Sequence, residues 1–600
     1  MKSVVSIFEK LKTVAVSYIR KHLQTFFEIR RKLVIREEVV HLGLAVVVGI
    51  IGGFSNLLFH EGENLLKLLL YRREGEIGWI AADLEWWQRI MMPAAGALAA
   101  GLVLMIGIRF IRRDLPSSIL EAVVVGQGRL PFRSGLIKTL SSLISLTTGA
   151  SIGREGSIVH LSATAASKFG QLFDYHPYKL RLLTACGAAA GIAAAFNAPL
   201  TGAVFAAQIV IGNFSMTMFT PIILSSVVAA MTSRSFFGIN PLYRVPSFDF
   251  TSLTQLPWIG FVGLGSGIIG ALFLKGIDLM EKYFKSAIKQ SYIRITTGGV
   301  IVGAISIFYP YIWGNGYGPV NMVLDGKYTV ELLLGLLLAK AVATMISVGS
   351  GMVGGIMTPT LFLGAAYGSF CGLGLHALNF AQNLPVCVFA LAGMASVFAA
   401  TTHSPLMAIL MVFEISLNYS LMPALMLACP LATLVAKRFH RDSVYTKPLH
   451  ERGVHIEESK KFGAADTNYV ADIMRKPVPP ILNTTPFEKI IERFLSSPNN
   501  FLPVVDSDSR LIGIVSLQDV KEFLNQNENM LGVIAYDVMR PPQYFLTPQQ
   551  TLQDAFPVLI NSEMRNIPVV DTPKNMKLIG SVLRSEALGI ISEKIAATPR

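Results

Sequence analysis

Two glycine-rich breaks interrupt the apolar part of this 600-residue sequence, TTGASIGREGS at 147–157 and SVGSGMVGGIMTP at 347–359. Each precedes an apolar run of helical length, and the first carries Glu155 inside Gly153-Arg154-Glu155-Gly156. A helix that starts at such a break presents its first amides as about half a positive charge. That charge suits a small anion, because it attracts without the grip of a Lys or Arg, and conduction needs a site that releases. Ser and Tyr hydroxyls add neutral donors, and buried cations should be few. A carboxylate at the same place is itself an anion and would compete for the same amides. The rival readings are structural: Glu155 paired with Arg154, and Gly-Gly-x-x-x-Pro at 354–359 as a break in helix packing. Ionisable groups within a membrane are functional by default.

The surroundings are those of a membrane protein. The chain is 52% hydrophobic and 15% charged, where a soluble domain carries about 25% charged residues. Apolar segments cluster near 41–59, 91–111, 136–152, 157–172, 180–194, 198–212, 216–234, 256–275, 293–312, 330–348, 359–380, 386–400, 404–417 and 421–437. Several fall short of the ~20 helical residues that cross a hydrocarbon core. Tilted and broken helices meeting inside the protein fit this pattern, since irregular backbone at membrane depth must be buried or line a cavity. Transporters build such helices in two repeated halves. The halves echo here: ACGAAAGIAAAF (185–196) leads to Asn197-Ala-Pro-Leu, and LAGMASVFAATTHSPLMA (391–408) contains His403-Ser-Pro-Leu. The sequence therefore reads as an all-α polytopic membrane protein with an inverted repeat.

Net charge is +13, and basic residues such as Arg30, Arg31, Lys32 and Arg36 precede the first long span. The positive-inside rule places that end in the cytoplasm and accounts for the charge without nucleic acid. Residues 1–40 lack a signal-peptide profile and read as a retained amphipathic helix beside the membrane. The four cysteines, Cys186, Cys371, Cys387 and Cys429, sit in apolar stretches without metal-ligand spacing. HEGEN at 60–64 begins like a zinc-protease helix, but Asn64 replaces the second histidine. Neither a nucleophile elbow nor a P-loop lysine motif accompanies it, so an enzyme is disfavoured. A cation transporter would need clustered intramembrane carboxylates, and those present are isolated.

Beyond His440 the polarity is ordinary, and a second repeat emerges. YVADIMRKPVPPIL (469–482) matches IAYDVMRPPQYFL (534–546), and FLPVVDSDSRLIGIVSLQDV (501–520) matches the stretch from Asn566 to Leu588. Each unit reads as strand, helix, two short strands, helix. This resembles a tandem pair of α/β CBS domains. The organisation expected is a membrane domain at 41–450, a linker at 451–466, and CBS repeats at 467–530 and 531–600.

With GREGS, GAAAGIAAAFNAPLTGAVF (187–205), GGIMTP and Tyr445 in this order, the chain resembles the CLC chloride channels and chloride/proton antiporters. WGNGY (313–317) and HRDSVY (440–445) draw it toward the ClcB-type branch. The resemblance implies that Glu155 is a gating glutamate and that Gly153, Arg154 and Gly156 frame the outer anion position. Ile356 and Met357 would hold a central anion through their backbone amides, although the family usually has Phe at the second place. Tyr445 would be the inner hydroxyl donor. The usual Gly-Ser-Gly-Ile-Pro is replaced by Pro116-Ser117-Ser118-Ile119-Leu120, with Ser117 the match and Ser118 its rival. A serine there, rather than proline, favours chloride over nitrate. Coupled antiporters often carry two glutamates where this chain has Gln208 and Ile209, and isoleucine cannot carry a proton. Glu414, also intramembrane, reads as structural.

The resemblance thus implies chloride movement across the cell membrane, voltage-gated and channel-like or loosely proton-coupled. Coupled antiport is the alternative. It also implies a homodimer with one pore per subunit and a cytoplasmic CBS pair. No metal is implied. Adenine nucleotide is the one cofactor suggested, through Ser516 and Asp519 of the first CBS repeat. The second repeat has Leu583 and Glu586 at those places, so at most one site is intact, and a purely structural module is the competing reading.

Overall fold

The structure, a computed structural model, describes residues 37–588 except 109–117, 125–126, 174, 176, 213, 215, 239–241, 247–252, 452–468, 497–498 and 527–531. The amphipathic segment expected at 1–40 and the linker at 451–466 lie almost wholly outside the described residues. The chain forms two compact units, divided between Pro448 and Leu449.

The first unit is helical. Its elements are α1 (Glu37–Tyr71), α2 (Ile77–Asp83), α3 (Trp86–Ile108), α4 (Ile119–Val124), α5 (Phe132–Thr147), α6 (Glu155–Leu172), α7 (Pro177–Phe196), α8 (Pro199–Phe205) and α9 (Met216–Phe237). They continue with α10 (Leu256–Ala287), α11 (Ser291–Phe308), α12 (Tyr317–Leu324), α13 (Val330–Gly349), α14 (Met357–Ala377), α15 (Val386–Thr402), α16 (Pro405–Ser416) and α17 (Met422–Phe439), and the short α18 (Lys447–His450) spans the division. Among the described residues, eight helices are long and apolar enough to cross a membrane. Among the described residues each apolar segment of the sequence falls largely on a helix, several of them short.

The sequence echo between the halves has a backbone counterpart. Asn197 and His403 both take left-handed conformations, with φ of 58° and 54°. The next residues, Ala198 (φ −126°, ψ 80°) and Ser404 (φ −129°, ψ 77°), turn the chain alike, and Pro199 and Pro405 then open α8 and α16. A left-handed residue ends a helix, and proline at the first helical position sacrifices no intrahelical bond. The same short motif therefore breaks both halves at matching points.

Small residues let the broken helices approach. The α14–α15 contact is backbone on backbone: a methyl group on Gly364 would overlap the Gly393 carbonyl, and one on Gly368 the Phe389 carbonyl. Close approach through small residues is how helices pack where lipid removes the hydrophobic drive between them.

The second unit contains two α/β repeats. In the first, β1 (Ile481–Leu482) pairs in parallel with β2 (Phe501–Val505), which runs antiparallel to β3 (Leu511–Ser516). The helix before β2 is Phe487–Ser496 and the one after β3 is Leu517–Gln526. The second repeat has β4 (Asn566–Val570) antiparallel to β5 (Leu578–Leu583), and its parallel partner is a single bridge, Leu546 to Val569. Both sheets carry an irregularity at the same register, between Val504 and Val505 and between Val569 and Val570.

Gly364→Ala is expected to destabilise the protein by about 1–3 kcal/mol through overpacking. Gly374→Ala, where the added methyl meets nothing within 4 Å, should be neutral or slightly stabilising. Thermal unfolding of the two variants in detergent, side by side, checks the contrast.

Candidate functional site

The two glycine breaks form one structure. The Gly153 amide donates to the Gly355 carbonyl (2.6 Å) and the Gly355 amide to the Gly153 carbonyl (2.7 Å), an isolated antiparallel bridge between the two halves. Only glycine allows this approach. A Cβ on Gly156 would stand 2.8 Å from the Gly355 Cα, and one on Gly355 would stand 2.7 Å from the Gly156 nitrogen. The bridge sets the starts of α6 and α14 side by side. Arg154 and Ile356 precede these helices, and neither side chain caps them. Among the described residues no hydrogen bond takes up the amides of Gly156, Ile356 or Met357. These are the first donors of their helices, which have no intrahelical partner.

Glu155, the first residue of α6, is fully buried. Its Oε1 accepts a hydrogen bond from the Tyr317 hydroxyl, and its Oε2 has no partner among the described residues. The carboxylate folds back over the break, where a Cβ on Gly153 would collide with it. Arg154 turns the other way. Its amide donates to Asn315 Oδ1 (3.0 Å), and its guanidinium reaches His60 Nδ1 (3.0 Å) and Glu63 Oε2 (3.6 Å), both on α1. The ion pair of Arg154 is thus with Glu63, so HEGEN supplies a counter-charge here.

A buried cation stands in this surround, where buried cations were expected to be few. Lys340, on α13, is fully buried. Its ammonium donates to the carbonyls of Ile312 (2.8 Å) and Gly314 (2.7 Å) and stands 5.4 Å from the Phe362 ring centroid. Two carbonyls and a ring face take the place of water around that charge.

Tyr445 follows α17 with its ring edge against Phe205, 5.6 Å between centroids. Ion pairs flank it. His440 Nε2 meets Asp278 (3.0 Å), and Lys447 meets Asp278 and Glu281 (2.6 Å each). The hydrogen bond to Asp278 holds the His440 pKa above its ordinary value, against the opposing effect of burial. Gln208 and Ile209 lie in a π-helical turn, Ala206–Ile211, that prolongs α8. Gln208 Oε1 accepts from the Ser404 hydroxyl (2.6 Å). Glu414 accepts from the amides of Leu200 and Thr201 (2.8 Å each) and from the Thr201 hydroxyl (2.6 Å). It caps α8 from a neighbouring helix, as a structural reading of Glu414 requires. Ser117 lies outside the described residues. Ser118 Oγ accepts from the Glu121 amide (3.1 Å) within the first turn of α4.

The voltage gated chloride channel family matches residues 95–437, and the CBS domain family matches 470–526 and 535–593. A chloride channel protein described as ClcB-like, from Ralstonia nicotianae, is 41% identical over 414 residues, covering 68% of this chain and 96% of its own. The chain belongs to the voltage-gated chloride channel family. The voltage-gated ClC-type chloride channel ClcB of Escherichia coli O9:H4 is 37% identical over 407 residues, 67% of this chain and 97% of that one. Among solved structures, a slow cyanobacterial Cl-/H+ antiporter superposes with a TM-score of 0.61 at 24% identity, over 70% of this chain and 98% of the other. A eukaryotic CLC transporter superposes with a TM-score of 0.56 at 19% identity, over 91% and 97%. These two likenesses show the fold of the membrane domain. The work of the family is chloride transport.

Within this family member's CBS pair, Ser516 and Asp519 are already engaged. The Asp519 carboxylate accepts from the Ser516 amide (2.9 Å) and hydroxyl (2.6 Å), and the Asp519 amide donates back to the Ser516 hydroxyl (3.0 Å). This reciprocal pattern starts the helix Leu517–Gln526. Arg540 also pairs with Asp519 (2.5 Å), and Arg475 with Glu586 (2.8 Å), so the repeats exchange ion pairs symmetrically. Tyr317, Asn315 and Lys340 were not singled out by sequence reasoning. WGNGY was legible only as a mark of resemblance, and the one signal for Lys340 was a lone charge in LLLGLLLAKAVATMI.

His440→Gln should lower thermal stability most below about pH 6, where His440 is charged in folded and unfolded chains alike. Because the folded pKa is raised, the difference should fade as pH climbs through that raised value. Melting curves across pH for both proteins check it.

Proposed function

We propose that this chain passes chloride through a pore in which Glu155 is the gate, in a channel-like or loosely proton-coupled manner. The observation that carries the reading is the Gly153–Gly355 bridge, which presents the open amides of α6 and α14 together with a carboxylate at the start of one of them. A halide bound there takes partial charge from Gly156, Ile356 and Met357. Contact through backbone tolerates Met357 in place of Phe. Gly153 and Arg154 contribute by placement, since their amides are bound to Gly355 and Asn315. The charged Glu155 occupies anion space, and protonation releases it. Tyr445 stands as the inner hydroxyl, in a segment flanked by the ion pairs of His440 and Lys447. Ser117 keeps its assignment as the central serine from sequence alone.

Loose coupling is supported at Gln208 and Ile209. Neither side chain carries a proton, and Gln208 is engaged by Ser404. The proposal includes a homodimer with one pore per subunit, with the N-terminus and CBS pair cytoplasmic in a cell membrane, on family likeness and positive-inside charge. For the CBS pair, the Arg540–Asp519 contact supports a structural module over nucleotide capture.

Reconstituted vesicles test the transport reading. Chloride efflux should rise as pH falls, and Glu155→Gln should give high, pH-independent flux. A chloride gradient that drives protons uphill, with loss of that movement in Glu155→Gln, would establish coupled antiport instead. For the tail, titration of the full chain with ATP should give no binding heat at millimolar ligand. Binding there, abolished by Asp519→Asn, would restore the nucleotide site.

A further inference from the structure

The segment from Ile312 to Gly318 touches the glutamate end of α6 repeatedly. Gly314 donates its amide to the Ala150 carbonyl (3.1 Å), just ahead of the break. Asn315 accepts from the Arg154 amide, and the Tyr317 hydroxyl donates to Glu155. The segment is itself fastened. Lys340 grips the carbonyls of Ile312 and Gly314 from α13, and Glu76 accepts the Gly318 amide (2.5 Å). Gly314 and Gly316 have φ of 61° and 80°, left-handed values that side chains resist. The fully buried Trp313 lies against Gly149, where any Cβ would meet its ring.

We propose that Tyr317 is the latch of Glu155: a positioning residue whose phenol holds the charged carboxylate folded back, on a segment that Lys340 makes rigid. The proposal rests on the reading of Glu155 as the gate and adds the group that sets the pH at which the gate releases. The physics is direct. A hydroxyl bonded to a carboxylate makes a charge-assisted bond that favours the charged form. Protonation of Glu155 weakens that bond and frees the side chain. The alternative is that Tyr317 only fills space, since its ring also packs edge-on against Tyr243 (5.6 Å) and lies 5.3 Å from the Arg154 guanidinium. Phenylalanine preserves both ring contacts and removes only the hydroxyl. The other ionisable groups acting on this pair are Arg154, Tyr243, Lys340 and Tyr445, with Glu76 bonded to the Tyr317 backbone, and Tyr317→Phe leaves all of them in place.

Chloride flux from vesicles, measured across pH for the full-length protein, tests the latch. Tyr317→Phe should move the half-maximal pH upward by about one unit, a tenfold change in proton concentration. Flux at acid pH and the melting temperature should stay near wild type. A fluorinated tyrosine at 317, a stronger donor of the same shape, should move the midpoint downward. A Tyr317→Phe profile that overlays wild type, or a fluorinated variant that shifts upward or not at all, overturns the proposal. Glu155→Gln separates the two levels. If it flattens the profile while Tyr317→Phe has no effect, the latch fails and the gate stands. If Glu155→Gln keeps the wild-type profile, the gate reading fails with it.

Discussion

Two reciprocal peptide hydrogen bonds, between Gly153 and Gly355, are the constraint on which the rest of the membrane unit depends. They come from opposite halves of the chain, and they can form only where both backbones lack a Cβ at the contact. With them made, α6 and α14 must start beside each other with their first amides unsatisfied. An apolar interior makes such donors costly to leave alone. The site is thus built from polar groups that the fold declines to pair internally, which is what a transient occupant requires.

Charge around that site is managed by distance and by substitution for water. Arg154 sits next to Glu155 in sequence but pairs with Glu63 on α1, so the glutamate is not locked in a permanent salt bridge. Its bonded partner is a neutral phenol. Lys340 is kept by two carbonyls and an aromatic face. A bond from a neutral hydroxyl weakens as soon as the carboxylate takes a proton, while a buried ion pair broken by loss of one partner costs about 3–5 kcal/mol. A group that must move is better held by the former.

Elsewhere, polar residues that look functional in one dimension are structural in three. Glu414 caps α8. Ser516 and Asp519 start a helix and hold Arg540. In each case the carboxylate meets unsatisfied amides within the same unit. The π-helical turn at Ala206–Ile211 places Gln208 against Ser404, which joins the ends of the two repeat-related breaks.

The sequence alone determined the class, the helical segments and the repeat, because these follow from apolar run length, glycine and proline punctuation and local motifs. Asn197-Ala-Pro-Leu and His403-Ser-Pro-Leu take the same backbone turn. The two breaks were legible as helix starts, and Glu155 as a carboxylate at one of them. That broken helices meet inside the protein was expected; which residues join the two breaks was not legible, nor was the partner of Glu155. Tyr317 lies far along the chain from Glu155, in a segment whose glycines and lone distant lysine carry no local pattern. Its position depends on Lys340 reaching across from another helix, and a long-range bond of that kind leaves no periodicity in the sequence. Only the packed chain could decide it.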